Sequence, residues 1–113
     1  MKPSEVLRAA RAKIEKAENW TQGAYARDAA GSFVYVGEPE AHSFCSLGAC
    51  RTVVFDKHGD RDEDVYERAK WALKRELLRD GDQEIADFND THSHVEVLAL
   101  FDRAIAAAEA RGE

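Results

Sequence analysis

Apolar residues recur every three or four positions in three long segments of this chain, a spacing that places them on one face of a helix. The first segment follows Ser4, which suits an N-cap, and is predicted to end near Asn19. Another starts in the acidic run at residues 60–64 and stops at Asp80-Gly81. In the last, Ser93 and Glu96 fit a capping box. The stripes comprise Val6, Leu7, Ala10, Ile14 and Ala17; Val65, Ala69, Ala72, Leu73 and Leu77; and Val97, Leu98, Phe101, Ala104, Ile105 and Ala108.

The pattern changes between Trp20 and Gly37, where residues 24–28 and 33–36 flank a turn and predict a small β-hairpin. Glu38-Pro39 then predicts the start of a further helix that runs to Arg51 or Phe55. We expect its charge-poor part, residues 41–49, to be the most buried element. Residues 85–90 are interpreted as a connector. The predicted fold class is therefore α-rich (α+β), a compact single domain over residues 1–113 with about four helices and a small β-hairpin near residues 24–36.

Composition and charge narrow the class of protein. The chain has 113 residues, of which 44% are hydrophobic and 34% charged, a balance typical of one globular domain. Its net charge of −6 argues against nucleic acid as a partner through direct phosphate binding. No apolar run approaches the roughly 18 residues that a membrane span needs. With only two cysteines and no signal-peptide pattern, we expect a soluble cytoplasmic protein with reduced thiols, no cofactor and no membrane contact.

Cys45 is the residue with the most suggestive chemistry. If its segment is helical, His42, Cys45 and Ala49 share one face, and a nearby imidazole could activate the thiol. His92 or His94 could serve instead as the base, with Asn89 or Asp90 orienting the ring. The competing interpretation is structural, because free cysteine usually behaves as a small buried hydrophobe. If the chain is an enzyme at all, the candidate catalytic residues are Cys45, His42, His94, Asn89 and Asp90.

Two further kinds of site were considered. His42, Cys45, His92 and His94 could supply ligands to zinc, but their spacing does not match the usual pairs of ligands, so we predict no metal site. Trp20, Asn89 and Asp90 are candidate ligand-binding residues that could line a polar pocket beside Cys45. Alternatively they are architectural, since a tryptophan after a helix commonly fills the core and Asn-Asp commonly bonds to backbone amides.

Four short blocks of this sequence resemble one family. They are Trp20-Thr21-Gln22-Gly23, Cys45-Ser46-Leu47-Gly48-Ala49, Phe88-Asn89-Asp90 and Glu96-Val97-Leu98. In this order they resemble a domain of unknown function found in small bacterial and phage proteins, over about Val6 to Ala108. Two positions depart from the family's pattern, Phe88 where it favours Trp and Cys50 where an aliphatic residue is usual. The resemblance therefore implies positions and no chemistry, and it places Cys50 outside any shared site.

We expect this chain to be a small acidic interaction module that binds a protein partner through its acidic helical faces, with a homodimer as a further expectation. The resemblance to phage proteins implies an accessory role of a phage or mobile element, in which the module modulates a host system. The alternatives are a Cys45-dependent hydrolase acting on a small amide or ester, and a domain that binds a small polar ligand.

Overall fold

A computed structural model describes residues 1–55 and 62–113 of the chain. In this part the chain forms two short strands, a 3₁₀ turn at Ala17–Asn19 and five α-helices, one more than the sequence predicts. The helices are α1 (Pro3–Lys13), α2 (Ser46–Phe55), α3 (Glu63–Arg79), α4 (Ile85–Thr91) and α5 (His94–Ala110), and the strands are β1 (Ala26–Arg27) and β2 (Ser43–Phe44). The predicted α-rich α+β class and the compact fold are confirmed.

The core lies where α1, α2, α3 and α5 meet. Helix α1 packs against the other three, and α3 packs along α5. The side chains that are fully buried there come from the predicted apolar stripes, among them Val6, Leu7, Ile14, Leu73, Leu77, Val97 and Phe101. In residues 1–55 and 62–113 we find no helix that combines the length and the apolar character needed to cross a membrane.

The predicted ends of α3 and α5 are confirmed by their capping contacts. Oδ1 of Asp62 accepts the Val65 backbone N–H at 3.1 Å at the start of α3. At the start of α5, Ser93 Oγ accepts the Glu96 N–H at 3.2 Å and Glu96 Oε1 accepts the Ser93 N–H at 2.9 Å. These contacts satisfy amides that have no partner within the helix. Asp60 and Arg61, which belong to the predicted start of α3, lie outside the described residues.

Helix α1 is shorter than predicted, because it ends at Lys13 and not near Asn19. Residues 15–18 are exposed, so a further turn of helix would bury no apolar face. The predicted N-cap is also wrong. Ser4 lies inside the first turn and is buried, and its hydroxyl donates to the backbone carbonyl of Glu113 at 2.6 Å.

The small antiparallel sheet has a different second strand from the one predicted. Ala26 pairs with Phe44 and Arg27 pairs with Ser43. The predicted hairpin partner contributes an isolated bridge between Arg27 and Phe33, with the Val34 N–H donating to the Ala26 carbonyl at 3.2 Å. Strand β1 is therefore held between two segments, one near and one distant in sequence.

Two other boundaries differ from the sequence prediction. Helix α2 begins at Ser46 and not at Glu38-Pro39, so His42 and Cys45 precede the helix and do not share a helical face with Ala49. Residues 43–46 and 48–50 are buried as expected, whereas His42 is exposed. The segment at residues 85–90 was interpreted as a connector, but it forms most of α4.

Candidate functional site

Asn89 is the polar centre of the molecule. Its side chain is almost fully buried on α4, and its Oδ1 accepts three hydrogen bonds: from Trp20 Nε1 at 2.9 Å, from the Ser46 N–H at 3.0 Å and from Ser46 Oγ at 2.8 Å. Its Nδ2 donates to the Thr21 carbonyl at 3.0 Å. One amide thus joins α4, the start of α2 and the segment after the 3₁₀ turn. Because each of these groups would otherwise be buried or half-buried without a partner, Asn89 is an architectural residue.

Residues next to Asn89 add further contacts between the same segments, and we call this set of hydrogen bonds the Asn89 junction. Gln22 Nε2 donates to the Asn89 carbonyl at 3.0 Å and to the His92 carbonyl at 3.1 Å. Oδ1 of Asp90 accepts the Gly23 N–H at 2.9 Å and Asn89 Nδ2 at 3.1 Å. Three of the four blocks that carry the family resemblance therefore meet here. The structure brings Trp20, Asn89 and Asp90 together, as their assignment to one site required.

Gly48 allows the start of α2 to lie directly against the backbone of Tyr25. A Cβ at position 48 would come within 1.9 Å of the Tyr25 carbonyl oxygen. The same oxygen accepts the Cys45 N–H at 3.3 Å. Only glycine fits at such a close approach of two backbones. Gly48 thereby fixes where Tyr25 and Cys45 stand relative to each other.

The Cys45 thiol is buried at the start of α2, where its Sγ accepts the Gly48 N–H at 3.3 Å. Burial raises the pKa of this thiol, the nearby Asp90 carboxylate raises it further, and the backbone N–H groups of Gly48 and Leu47 offset only part of the effect. Burial also raises the pKa of Cys50 to about 12. A nucleophilic cysteine needs a lowered pKa, so this environment favours the structural interpretation of Cys45.

We therefore expect both thiols to react slowly with iodoacetamide in the folded protein and at the ordinary rate after unfolding, because only an accessible thiolate can attack the reagent and displace iodide. Mass spectrometry of each labelled cysteine, with and without urea, measures the two rates. Cys45→Ala should lower stability by roughly 0.5–2 kcal/mol, since it removes the sulfur that accepts the Gly48 N–H at the start of α2. Fast labelling of native Cys45 that slows in His42→Ala or His94→Ala would show that the thiol is activated.

The histidines proposed as bases make other contacts. His94 Nε2 donates to the Ile14 carbonyl at 2.6 Å, and its ring lies 5.4 Å from that of Trp20. His92 Nδ1 donates to the Phe88 carbonyl at 3.0 Å, and its ring stacks on the Phe88 ring at 3.8 Å. The exposed His42 is held through its backbone, whose N–H donates to the Arg27 carbonyl at 2.8 Å. The rings of His92 and His94 therefore each donate a hydrogen bond to a backbone carbonyl.

No group of three His, Cys, Asp or Glu side chains is placed to hold a metal ion in residues 1–55 and 62–113. The buried oxygens and nitrogens of the Asn89 junction bond to one another, so few hydrogen-bonding groups there are left to contact a ligand.

An open cleft of about 290 Å³ lies beside the junction, between α4, the start of α2 and the segment that contains β1. We call it the aromatic cleft; its lining residues are Gly23, Ala24, Tyr25, Phe33, Cys45, Leu47, Ala86 and Asp90. Asp90 supplies the one charged side chain of this lining, and it lies among mainly apolar groups. Cys45 and Asp90 therefore do share a site, in which Cys45 contributes to the lining.

Arg27 holds the wall of the aromatic cleft in place. Its guanidinium donates to Thr21 Oγ1 at 3.1 Å, to the Gly31 carbonyl at 3.1 Å and to the Gln22 carbonyl at 3.2 Å. The loop before β1 and the turn after it are thus tied to one side chain. This fixes the Phe33 rim relative to Gly23, and it indicates a preformed cleft.

Four residues of this region are absent from the predicted site: Ser46, Gln22, Tyr25 and Phe33. Ser46 and Gln22 lie inside or beside the recognised blocks, so their positions were a usable signal. Tyr25 and Phe33 were assigned to hairpin strands, where alternate residues face a core. In the structure their side chains are 46% and 56% exposed, and nothing in the local pattern indicates this.

A sequence model of a family of unknown function (DUF6197) matches residues 1–107. No curated protein and no solved structure matches the chain.

Proposed function

The chain belongs to a family of unknown function (DUF6197), and we propose that it is a small acidic interaction module that binds a protein partner through the aromatic cleft. The observation that supports this most is the exposure of aromatic rings at and next to the cleft. Tyr25 is 46% exposed, Phe33 56% and Tyr35 70%, and the Phe33 and Tyr35 rings lie edge to face at 5.5 Å. Grouped exposed aromatic side chains mark interaction surfaces, and tyrosine is enriched among the residues that dominate binding.

The charge at the cleft favours a basic partner. Asp90 on α4 belongs to the lining and is exposed. In the described part of the chain, the hydrogen bonds to the Asp90 carboxylate end on Oδ1, which leaves Oδ2 available to a ligand. Asp90 is thus the acidic group on a helix through which the partner is proposed to bind.

The size and lining of the cleft suit one side chain. A volume of about 290 Å³ lies at the lower end of the range for small-molecule pockets. The aliphatic stem of a lysine or arginine can lie along Phe33 and Leu47 while its charge reaches Asp90. The proposed ligand is therefore a peptide segment in which a basic residue, whose side chain enters the cleft, stands beside an apolar residue.

The resemblance to phage proteins extends this proposal to a cellular role. We propose that the module acts in the bacterial cytoplasm as an accessory protein of a phage or mobile element, and that its partner is a protein of the host. A host system would be modulated by occupation of a basic segment of that partner.

Peptide selection tests the proposed ligand class. Short random peptides selected on the immobilised protein are expected to be enriched in Lys or Arg beside an apolar residue. Binding of a selected peptide should weaken about tenfold or more in Asp90→Asn, because a hydrogen bond to a charged group contributes about 1.5–3 kcal/mol. Asparagine can still accept from Gly23 and Asn89 through its oxygen, so this substitution removes the charge and leaves the junction intact. Fluorescence anisotropy measures the affinities.

Asp87→Asn is the matched control, since Asp87 lies on the exposed side of the same helix and outside the cleft lining. It removes the same charge and should weaken binding less than threefold, which is the scale expected for an exposed charge. Equal losses in the two variants, or selected peptides without basic residues, would contradict the proposal. So would a host lysate from which the protein retains a small molecule and no protein, and that result would favour the ligand-binding alternative.

A further inference from the structure

Helix α3 carries a row of five surface residues at intervals of four: Glu63, Glu67, Trp71, Arg75 and Arg79. All five are exposed. Residues at this interval form one of the ridges by which helices pack against each other. Along the row the charge order is acidic, acidic, neutral, basic, basic. We call these residues the α3 row.

The residue at the centre of the α3 row is an exposed tryptophan. Trp71 is 53% exposed, and Leu78, two turns further along, is 45% exposed. Beside them runs a groove of about 580 Å³ between α3 and the end of α5, with Ala107 and Arg111 on its far side. Large apolar side chains at the surface next to a groove indicate a contact with another protein surface. The charges on either side of Trp71 indicate which surface this is.

We propose that α3 binds the α3 helix of a second copy of this chain, antiparallel, around a two-fold axis that passes beside Trp71. In this arrangement Trp71 lies against Trp71 of the second copy. Glu67 lies opposite Arg75 of the second copy, one turn of helix to either side of Trp71. The two-fold axis repeats this pair, as in the isologous interfaces of most symmetric dimers.

The charge order of the row selects this arrangement over its alternative. A parallel pair would bring Glu67 against Glu67 and Arg75 against Arg75, and like charges in contact disfavour association. In the antiparallel pair, an acidic side chain faces a basic one on both sides of Trp71.

Contacts within one copy leave the charge of Glu67 available. Glu67 contacts Lys70 at 3.6 Å, and Arg79 contacts Glu76 at 3.6 Å. Arg79 stays with Glu76, whose side chain is only 7% exposed. Glu67 is 59% exposed in its pair, and an exposed ion pair of this kind contributes little to stability. A contact with a second copy can therefore form without breaking a strong bond. The α3 row shares no residue with the aromatic cleft, so dimer formation and partner binding are separable.

Two charge-reversal variants test the arrangement by sedimentation velocity. The unaltered protein is expected to sediment as a dimer at high micromolar concentration. Glu67→Arg and Arg75→Glu should each sediment as monomers, because each places like charges opposite each other twice and raises the dimer dissociation constant about tenfold or more. An equimolar mixture of the two variants should again sediment as a dimer, since every pair across that interface is complementary.

Glu18→Arg is the control, because it reverses an exposed charge outside the row and should leave the dimer unchanged. Circular dichroism of each variant establishes that the helices remain. A protein that is monomeric at all concentrations would overturn the proposal. It would equally be overturned if the unaltered protein dimerises while the mixture of variants stays monomeric. The peptide-binding result for Asp90→Asn does not depend on either outcome.

Discussion

Replacing Gly48 with alanine is expected to unfold the protein or to lower its free energy of unfolding by roughly 3 kcal/mol or more. The new Cβ would lie 1.9 Å from the Tyr25 carbonyl oxygen, a distance that requires one backbone to move. Tyr25 cannot shift alone, because Ala26 next to it pairs with Phe44 in the sheet. Alanine favours a helix over glycine by about 1 kcal/mol, which is too small to offset the clash. Urea denaturation followed by circular dichroism measures the change.

Gly37→Ala is the matched control for this substitution. A Cβ at Gly37 meets no atom within 4 Å, so we expect a change within about 0.5 kcal/mol. If Gly48→Ala were as stable as Gly37→Ala, the start of α2 could move away from Tyr25. The aromatic cleft would then be adjustable, because Tyr25 and Leu47 stand on its two sides.

The parts of the fold that the sequence predicts well are those in which local signals agree. In α3 and α5 a polar cap stands directly before a helical stripe of apolar residues, and both signals depend only on residues within a few positions of each other. The acidic run at residues 60–64 and the capping box of Ser93 and Glu96 therefore gave correct helix starts. The stripes likewise identified Leu73 and Phe101 as core residues.

The prediction of α2 failed because its N-terminal region lacks a polar side chain that marks the start. Cys45 stands directly before the helix, and its sulfur accepts the Gly48 N–H. Cysteine is not one of the residues that usually mark the start of a helix, so the sequence did not indicate this cap. The apolar residues before it, among them Phe44, fitted a helical pattern equally well. They form β2 because Phe44 pairs with Ala26, a partner eighteen positions away (44 − 26) that no local pattern reveals.

The candidate site was predicted in part. Trp20, Asn89 and Asp90 are the candidate ligand-binding residues of the sequence, and in the structure they lie together. Asn-Asp was interpreted as part of a connector, because these residues favour turns over helix interiors. In α4 the burial of Asn89 and its bonds to two other segments outweigh that preference. The cleft itself could not be predicted, since its lining comes from segments that are distant in sequence.

The residues of the family blocks mainly build the junction, and this explains why they do not by themselves define an activity. The Asn89 amide, Gln22 and Gly48 determine where the backbones lie, whereas the exposed groups Tyr25, Phe33 and Asp90 determine what can bind. A similar junction could therefore support different surfaces. This makes a direct measure of how much the junction contributes to stability a useful test of the architectural assignment.

Asn89→Ala is expected to lower the free energy of unfolding by about 4 kcal/mol, because it leaves Trp20 Nε1, the Ser46 N–H and the Thr21 carbonyl without their partner. This is a large part of the 5–15 kcal/mol that is typical of a small domain. Asn19→Ala, which removes a partly exposed bond to the His42 carbonyl, should cost about 1 kcal/mol or less. Urea denaturation monitored by tryptophan fluorescence compares the two variants. Equal losses would mean that water replaces the Asn89 amide, and the junction would then have to be open enough to bind a polar ligand.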